Sequence, residues 1–169
     1  MKAAPKKKKP VVVVVSGGFD PIHVGHVRMF QEAKAMGDKL VVILNNDNWL
    51  HQKKGFVFMP EKEREELIKG IKWVDEVVLT SHKPGAKDMS VCRELQKIKP
   101  GIFAQGGDRN TGNIPPCEVV LQKTIGYKVV NNVGGGGKVQ SSSWLLNAYL
   151  GEAPCVCGSG EKYKDCHGK

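Results

Sequence analysis

Two histidines, three residues apart, follow a run of five valines and a pair of glycines near the start of this 169-residue chain. The valine run, residues 11–15, is typical of a strand that is covered on both faces, and Gly17 and Gly18 allow a sharp turn close to a ligand. The residues after the turn have a helical pattern, so His23 and His26 lie on neighbouring turns at the helix N-terminus. Free N–H groups and the positive end of the helix dipole favour an anion there. The spacing therefore predicts a phosphate-binding site.

Strand and helix patterns alternate along the rest of the chain. The strand patterns cover residues 11–15, 40–44, 74–79, 101–104 and 127–130, and the helical patterns cover residues 24–36, 60–71, 90–98, 115–125 and 141–149. Short connections between alternating elements imply a parallel sheet with right-handed crossovers. Polar residues follow the first, second and fourth strands, so one crevice at the carboxyl edge of the sheet would hold them all. The predicted fold is a doubly wound, Rossmann-like α/β domain with five parallel strands.

Two later segments also carry groups that suit an anionic ligand. The polar residues after the second strand are expected to open a loop that contains Lys53, Lys54 and Gly55. Spacing alone supports a solvated pair of charges as readily as a pair of phosphate ligands. Three serines, residues 141–143, precede the last helix, where they either cap it or add a second anion site.

A resemblance to the cytidylyltransferase-like nucleotidyltransferase superfamily is carried by residues 18–26, Gly-Phe-Asp-Pro-Ile-His-Val-Gly-His. The glycerol-phosphate and heptose-phosphate branch has a pattern that looks like Asp47, then residues 53–55, Lys-Lys-Gly, then the pair at residues 63–64, Glu-Arg. Residues 106–109, Gly-Gly-Asp-Arg, resemble the Gly-Gly-Asp segment of the heptose-phosphate enzymes. The serines before the last helix match the small-hydroxyl motif of the family in part.

The resemblance implies a role for each matching residue. The residues that would stabilise the transferring phosphate or hold phosphate groups are His23, His26, Lys53 and Lys54. Those that would lie close to the acceptor or the triphosphate are Asp47 and Arg64. The nucleotide-binding residues are Gly17, Gly18, Phe19, Asp20, Gly25, Gly107, Asp108, Arg109, Ser141, Ser142 and Ser143. Among these, Gly25 would keep side-chain bulk away from the nucleotide.

The implied reaction transfers CMP or AMP from CTP or ATP to a phosphorylated sugar or polyol and releases pyrophosphate, with Mg²⁺ accompanying the triphosphate. The acceptor phosphate is already a nucleophile, so no general base is required. Transfer of AMP to a cofactor precursor, such as a nicotinamide or pantetheine phosphate, stays open, because residues 18–23 also resemble the adenylyltransferases of cofactor biosynthesis. A non-catalytic adaptor that binds a nucleotide or RNA also stays open.

Three cysteines and a histidine lie close together near the C-terminus; they are Cys155, Cys157, Cys166 and His167. Thiolate and imidazole ligands suit tetrahedral Zn²⁺ with no position left open for chemistry, so a structural metal site is predicted. The segment resembles the small zinc-binding motif at the end of the bacterial preprotein-translocase motor. Metal binding would supply its folding free energy, and the motif would either recruit a protein partner or stabilise the terminus.

The net charge of +9 arises in part from lysines among the first ten residues, which are expected to form a disordered basic arm. Residues 11–150 are expected to form the nucleotidyltransferase domain, and residues 154–169 the zinc-binding motif. Without the arm the chain is only mildly basic, so nucleic acid is a weak alternative partner. No pattern typical of a secretion signal or a membrane span occurs, which predicts a cytoplasmic protein with no membrane partner. Domains of this family often pair, so a homodimer is a further expectation.

Five cysteines in a chain without an export signal argue against a disulfide scaffold. Reduced thiols are therefore expected. Cys92 and Cys117 both fall in predicted helices, where a free cysteine packs as a small apolar side chain.

Overall fold

The computed structural model describes residues 9–106, 114–135 and 140–168. Its strands are β1 (Val12–Gly17), β2 (Lys39–Leu44), β3 (Glu76–Leu79), β4 (Ile102–Gly106) and β5 (Lys128–Val133). Its α-helices are α1 (Val24–Lys34), α2 (Asp47–Lys54), α3 (Glu61–Lys69), α4 (Cys92–Ile98), α5 (Pro116–Ile125) and α6 (Ser142–Leu150), and a short 3₁₀ helix covers Tyr163–Asp165.

The strands form one parallel sheet in the order β3-β2-β1-β4-β5, which confirms the predicted five-stranded α/β fold. The chain builds the sheet outward from β1 to β3, and then returns to the other side of β1 to add β4 and β5. The strand order therefore reverses between β1 and β4. In an open parallel sheet, this reversal leaves a crevice at the carboxyl ends of the two strands.

Both faces of the sheet are covered by helices, which explains the unbroken valine run of β1. Val13 and Val15 pack in a cluster with Phe30 of α1 and Ile68 of α3. Val14 points to the opposite face and packs in a second cluster that includes Leu95 of α4. Every one of these side chains is fully buried. Burial of a valine, leucine or phenylalanine side chain contributes about 1.5 to 3 kcal/mol to the free energy of folding. The buried valines of β1 therefore contribute strongly to the stability of the domain.

The loop predicted after β2 is wrong, because these residues form the helix α2. Asn46 is the N-cap, and its side-chain oxygen accepts a hydrogen bond from the Trp49 N–H at 3.1 Å. Gly55 ends the helix in the left-handed conformation, with φ of 80°. Capping asparagine, an acid in the first turn and lysines before a glycine are complete start and stop signals for a short helix. The high polarity of the segment masked them.

The prediction that Cys92 and Cys117 are reduced packing residues is also wrong, because the two form a disulfide. Each lies in the first turn of its helix, α4 or α5. These helices pack side by side on one face of the sheet, which brings the two Cα atoms to 6.2 Å. Residues 25 apart in the chain become neighbours only through this pairing of helices, which the local sequence pattern does not reveal.

The C-terminal segment packs against the rest of the structure. Cys155 and Tyr163 join Leu146 of α6 and Phe56, which follows α2, in a third buried cluster. A backbone bridge between Pro154 and Lys162 closes the segment on itself. Among the described residues, no helix is both long enough and apolar enough to cross a membrane.

Candidate active site

A cavity of about 320 Å³ opens at the crevice between the ends of β1 and β4. The first turns of α1 and α6 form its sides, and the end of α2 lies at its rim. The residues predicted for the site that line this cavity are Gly17, Gly18, Phe19, His23, Gly25, His26, Lys54, Ser141, Ser142 and Ser143. Segments that are far apart in the chain therefore meet at one place on the carboxyl edge of the sheet.

The two histidines cap the helix that carries them. His23 is the N-cap of α1, and its Nδ1 accepts a hydrogen bond from the Gly25 N–H at 3.1 Å. The Nδ1 atom of His26 accepts a hydrogen bond from the His23 N–H at 3.3 Å. Because Nδ1 is an acceptor in both rings, the proton of each neutral imidazole lies on Nε2. Each ring thus keeps one N–H donor for a ligand in the cavity.

The imidazole rings of His23 and His26 stack, with 3.6 Å between their centroids. Burial, followed by the charges of His23 and Lys54, lowers the pKa of His26 to about 3. Burial is also the larger cause that lowers the pKa of His23, followed by the charge of Lys54. Both rings are therefore neutral near pH 7. A bound anion would raise both pKa values again, because it favours the charged imidazole.

The low pKa of His26 should make the stability of the protein depend on pH. In the unfolded chain a histidine has a pKa near 6.5, whereas in the folded protein His26 has a pKa of about 3. Between these values the unfolded chain binds the extra proton, so stability is complete above pH 6.5 and falls as the pH decreases. Urea unfolding should show that the native chain loses about 2 kcal/mol more than His26→Gln between pH 7.5 and pH 5. Equal losses in the two proteins would contradict the assignment.

Only one of the two predicted lysines reaches the cavity. The Nζ atom of Lys54 donates a hydrogen bond to the backbone oxygen of Asp20 at 2.8 Å, and the side chain borders the cavity beside the histidines. Burial lowers the pKa of Lys54, the carboxylate of Asp20 opposes this effect, and Arg64 adds to it. Lys53 is exposed on the other side of α2 and does not line the cavity.

Asp20 stabilises the backbone around the cavity. Its side chain is buried, and the carboxylate accepts hydrogen bonds from the backbone N–H groups of Phe58 and Met59, at 2.9 and 2.7 Å. These bonds tie the turn after β1 to the segment between α2 and α3. Both carboxylate oxygens are used in this way, so Asp20 shapes the turn that carries the histidines.

Arg64 is fully buried and joins three segments around the cavity. Its guanidinium donates to the backbone oxygens of Met59, Gly18 and Asn45 at 2.7, 2.7 and 2.8 Å. It also forms an ion pair with Asp47, with 2.5 Å between Nη2 and Oδ1. Direct contact of Arg64 with an acceptor would require this network to open. The arrangement supports a shaping role for both residues, and their predicted contact with a substrate stays a prediction.

Gly25 makes room for a neighbouring side chain. A Cβ atom at this position would lie 3.0 Å from Cε1 and 3.1 Å from Nδ1 of His23. Alanine at this position would force the His23 ring to move by a few tenths of an ångström. The structure thus gives a second reason for glycine at position 25. The predicted reason was that glycine keeps side-chain bulk away from the nucleotide.

The three serines at the start of α6 form another part of the cavity wall. Ser141 occupies the N-cap position, but its side chain makes no capping hydrogen bond. The Ser142 hydroxyl donates to the backbone oxygen of Pro21 at 2.9 Å, which joins the start of α6 to the turn before α1. Two helix N-termini, those of α1 and α6, therefore face the same cavity. This pairing favours a ligand with several anionic groups.

Other residues of the cavity were missed or lie elsewhere. The predicted residues Gly107, Asp108 and Arg109 lie outside the described part of the chain. Trp49, which was not predicted, also borders the cavity. Its indole Nε1 donates a 2.8 Å hydrogen bond to the backbone oxygen of Met89. Gln105 at the end of β4 also lines it. Its place at the carboxyl end of a predicted strand was the signal that could have found it.

The predicted ligands near the C-terminus do come together. The metal-binding atoms of Cys155, Cys157, Cys166 and His167 all lie within 4.8 Å of one another. Cys155 Sγ is 3.1 Å from His167 Nδ1, and Cys157 Sγ is 3.7 Å from Cys166 Sγ. A tetrahedral ion with metal–sulfur bonds of about 2.3 Å has ligand atoms roughly 3.5 to 3.8 Å apart. The four side chains therefore fit such an ion.

Comparison with known proteins places these features in context. The model of the family described as cytidylyltransferase-like matches residues 14–121, and that of the SEC-C motif matches residues 153–169. An FAD synthase of Thermococcus sibiricus is 36% identical over 125 residues, which are 73% of this chain and 81% of that protein. An ethanolamine-phosphate cytidylyltransferase of Arabidopsis thaliana is 42% identical over 165 residues, which are 97% of this chain but 37% of that protein.

One solved structure is also similar to this chain. The crystal structure of a lipopolysaccharide core biosynthesis protein from Thermoplasma volcanium superposes with a TM-score of 0.59 and 27% identity, over 73% of this chain and 96% of that one. Together with the histidine pair and the cavity, these matches define a nucleotidyltransferase with a Rossmann-like sheet. The chain belongs to the cytidylyltransferase-like family and carries a SEC-C motif at its C-terminal end.

Proposed function

We propose that the chain transfers CMP from CTP to a small phosphorylated alcohol, such as an amino-alcohol, polyol or sugar phosphate, and releases pyrophosphate. The observation that carries this proposal is the pair of neutral, Nε2-protonated histidines, which face the same cavity as Lys54 and the first turn of α6. Two aligned donors, a cation and two helix N-termini suit a triphosphate that is attacked at its α-phosphorus.

Each part of the cavity has a role in this displacement. A phosphate oxygen of the acceptor attacks the α-phosphorus, and the bond from that phosphorus to the bridging oxygen of pyrophosphate breaks. The Nε2–H groups of His23 and His26 stabilise the charge that grows on the α-phosphate. Lys54 neutralises charge beside them, and the start of α6 holds the leaving pyrophosphate. The acceptor is already an anion, so no side chain must remove a proton from it.

Magnesium would enter the cavity with the triphosphate and would neutralise part of its charge. Among the described residues that line the cavity, none has a carboxylate. Hard cations of this kind prefer oxygen ligands, which the triphosphate itself supplies. The residues present therefore fit a metal ion that is bound through the nucleotide.

The size of the cavity favours a small acceptor. A volume of about 320 Å³ lies at the lower end of the range for ligand pockets, roughly 300 to 1,000 Å³. A nucleotide would occupy most of this space. The relative that matches 97% of this chain is named for ethanolamine phosphate, a small acceptor, and for the transfer of a cytidylyl group.

A second candidate is the transfer of AMP from ATP to a flavin phosphate. Several relatives of 35% to 39% identity are named FAD synthase. Trp49 lies at the edge of the cavity, and the bond from its Nε1 to Met89 holds the ring in place. A fixed aromatic ring is suited to stack on a flat heterocycle.

One experiment separates the two candidates. The purified full chain is incubated with each of the four nucleoside triphosphates and with phosphoethanolamine, glycerol 3-phosphate, a sugar phosphate or flavin mononucleotide, while pyrophosphate is measured. We expect kcat/KM to be highest for CTP with one of the small acceptors, by about 10² over any other triphosphate. A maximum for ATP with flavin mononucleotide would establish the second candidate instead. No pyrophosphate with any pair would overturn both.

We further propose that Cys155, Cys157, Cys166 and His167 bind a structural zinc ion. The close spacing of their ligand atoms and their three sulfur ligands support zinc over harder cations. A homodimer and a protein partner for this motif stay predictions.

A further inference from the structure

The C-terminal motif touches the helix that carries Lys54. The segment from Pro154 to Gly168, here called the metal knot, places the ring of His167 directly over Gly55 at the end of α2. A Cβ atom on Gly55 would lie 2.0 Å from Nε2 of that ring. On its other side, the same ring presents Nδ1 to Cys155 and Cys166 at 3.1 and 3.2 Å. The imidazole of His167 thus bridges the metal cluster and the end of α2.

The residue after Gly55 extends this contact. Phe56 is buried, and its ring meets the rings of Tyr163 and His167 edge to face, with centroids 5.8 and 6.0 Å apart. Leu146 of α6 completes the cluster. The metal knot is also tied to α6 by a 2.9 Å hydrogen bond from the Asn147 side chain to the backbone oxygen of Gly168. It therefore packs against both α2 and α6.

Both helices contribute residues to the cavity that the histidines line. Lys54 directly precedes Gly55, and its Nζ is held by the backbone oxygen of Asp20. The Asp20 carboxylate binds the backbone of Phe58 and Met59 a few residues further on. Asp20 and the metal knot therefore both hold this short segment.

We propose that the metal knot is a positioning element of the active site, which fixes the end of α2 so that Lys54 lies beside the histidine pair. The inference rests on the proposed role of Lys54 in the transfer reaction. Within the described part of the metal knot, only Cys155 and Tyr163 are buried, so the segment has little core of its own. Its fold must then depend on its metal ion. Loss of the ion would release His167 from Gly55 and loosen the segment that carries Lys54.

The first test removes the metal through an exposed ligand. Cys157→Ser in the full chain should abolish bound zinc, measured by elemental analysis. Amide hydrogen exchange in residues 51–59 should become at least about tenfold faster, while exchange in the β1–β4 core stays unchanged. For the proposed substrates, kcat should fall by about 10- to 100-fold, which is the usual effect of removing the support of a site. Unchanged exchange in residues 51–59 after loss of zinc would overturn the proposal.

The second test leaves all four predicted ligand residues unsubstituted and disturbs the contact between His167 and Gly55. Gly55→Ala drives a methyl group into the ring of His167, and Gly126→Ala is its matched control. Both glycines end a helix in the left-handed conformation, with φ of 80° and 82°, but no atom of the described residues lies within 4 Å of a Cβ atom at Gly126. The two variants therefore share the same backbone strain. Gly55→Ala should speed exchange at the end of α2 more than Gly126→Ala speeds exchange at the end of α5, and only Gly55→Ala should lower kcat; equal effects of the two variants would overturn the proposal.

The readouts also separate this proposal from the proposed function. Faster exchange with unchanged turnover would mean that the metal knot holds α2 but that Lys54 does not act in catalysis, which overturns the positioning claim. If the native chain releases no pyrophosphate with any substrate pair, the proposed function is contradicted, whatever the exchange measurements show.

Discussion

Replacement of His26 by alanine is expected to lower kcat by about 10³-fold, or about 4 kcal/mol of transition-state stabilisation. The Nε2–H of His26 is left free for a ligand in the cavity, because its Nδ1 is already bonded to the backbone. Its interaction with the α-phosphate should be strongest when charge builds up in the transition state. KM for the triphosphate should therefore change much less than kcat. Pyrophosphate release under saturating substrates measures the effect.

Two companion variants make the His26 experiment decisive. His26→Gln retains an amide N–H close to the place of Nε2 and should recover part of the activity. His51→Ala removes an exposed histidine of α2 that does not line the cavity, and should retain native kcat within about twofold. Circular dichroism and thermal unfolding check that each variant is folded. Turnover of a folded His26→Ala protein within about tenfold of the native rate would rule out the proposed role.

The second large effect should distinguish two neighbouring lysines. We expect Lys54→Ala to lower kcat/KM by about 10²-fold, because it removes a half-buried cation from the cavity. Lys53→Ala removes the same charge from the same turn of α2, but from its exposed side, and should change kcat/KM by less than about twofold. Steady-state kinetics with the best substrate pair provides the measurement.

The comparison of the two lysines controls for general charge effects. Both substitutions lower the net charge by one and weaken the same helix terminus equally. Equal losses in the two variants would show that overall charge, and not the position of Lys54, controls the rate. Thermal unfolding of Lys54→Ala is needed as well, because this variant also loses the hydrogen bond to Asp20.

The sheet could be predicted because its signals are local and strong. A buried parallel strand needs β-branched residues on both faces, and β1 and β2 supply them without interruption. The helix α2 was missed because its mean composition is polar, and only one of its residues, Leu50, is buried. The disulfide between Cys92 and Cys117 could not be predicted, since it depends on which helices become neighbours on the sheet.

The candidate site was predictable where its residues belong to one local sequence motif. His23 and His26 belong to one short motif, so their common position follows from local geometry alone. The difference between Lys53 and Lys54 depends on which side of α2 faces the cavity, and a loop prediction contains no such information. The burial of Arg64 could not be foreseen, because its partners Gly18, Asn45 and Met59 come from three separate segments.

The capping role of His23 restricts what can stand at its position. Folding alone would accept aspartate or serine there, because each of these caps a helix well. Neither of them offers an N–H on the side away from the cap, whereas an imidazole carries its two nitrogens on different edges of the ring. A descendant of this fold that has lost its reaction but kept its shape should therefore carry one of those two residues at position 23. Such a replacement would mark an inactive copy without any measurement of activity.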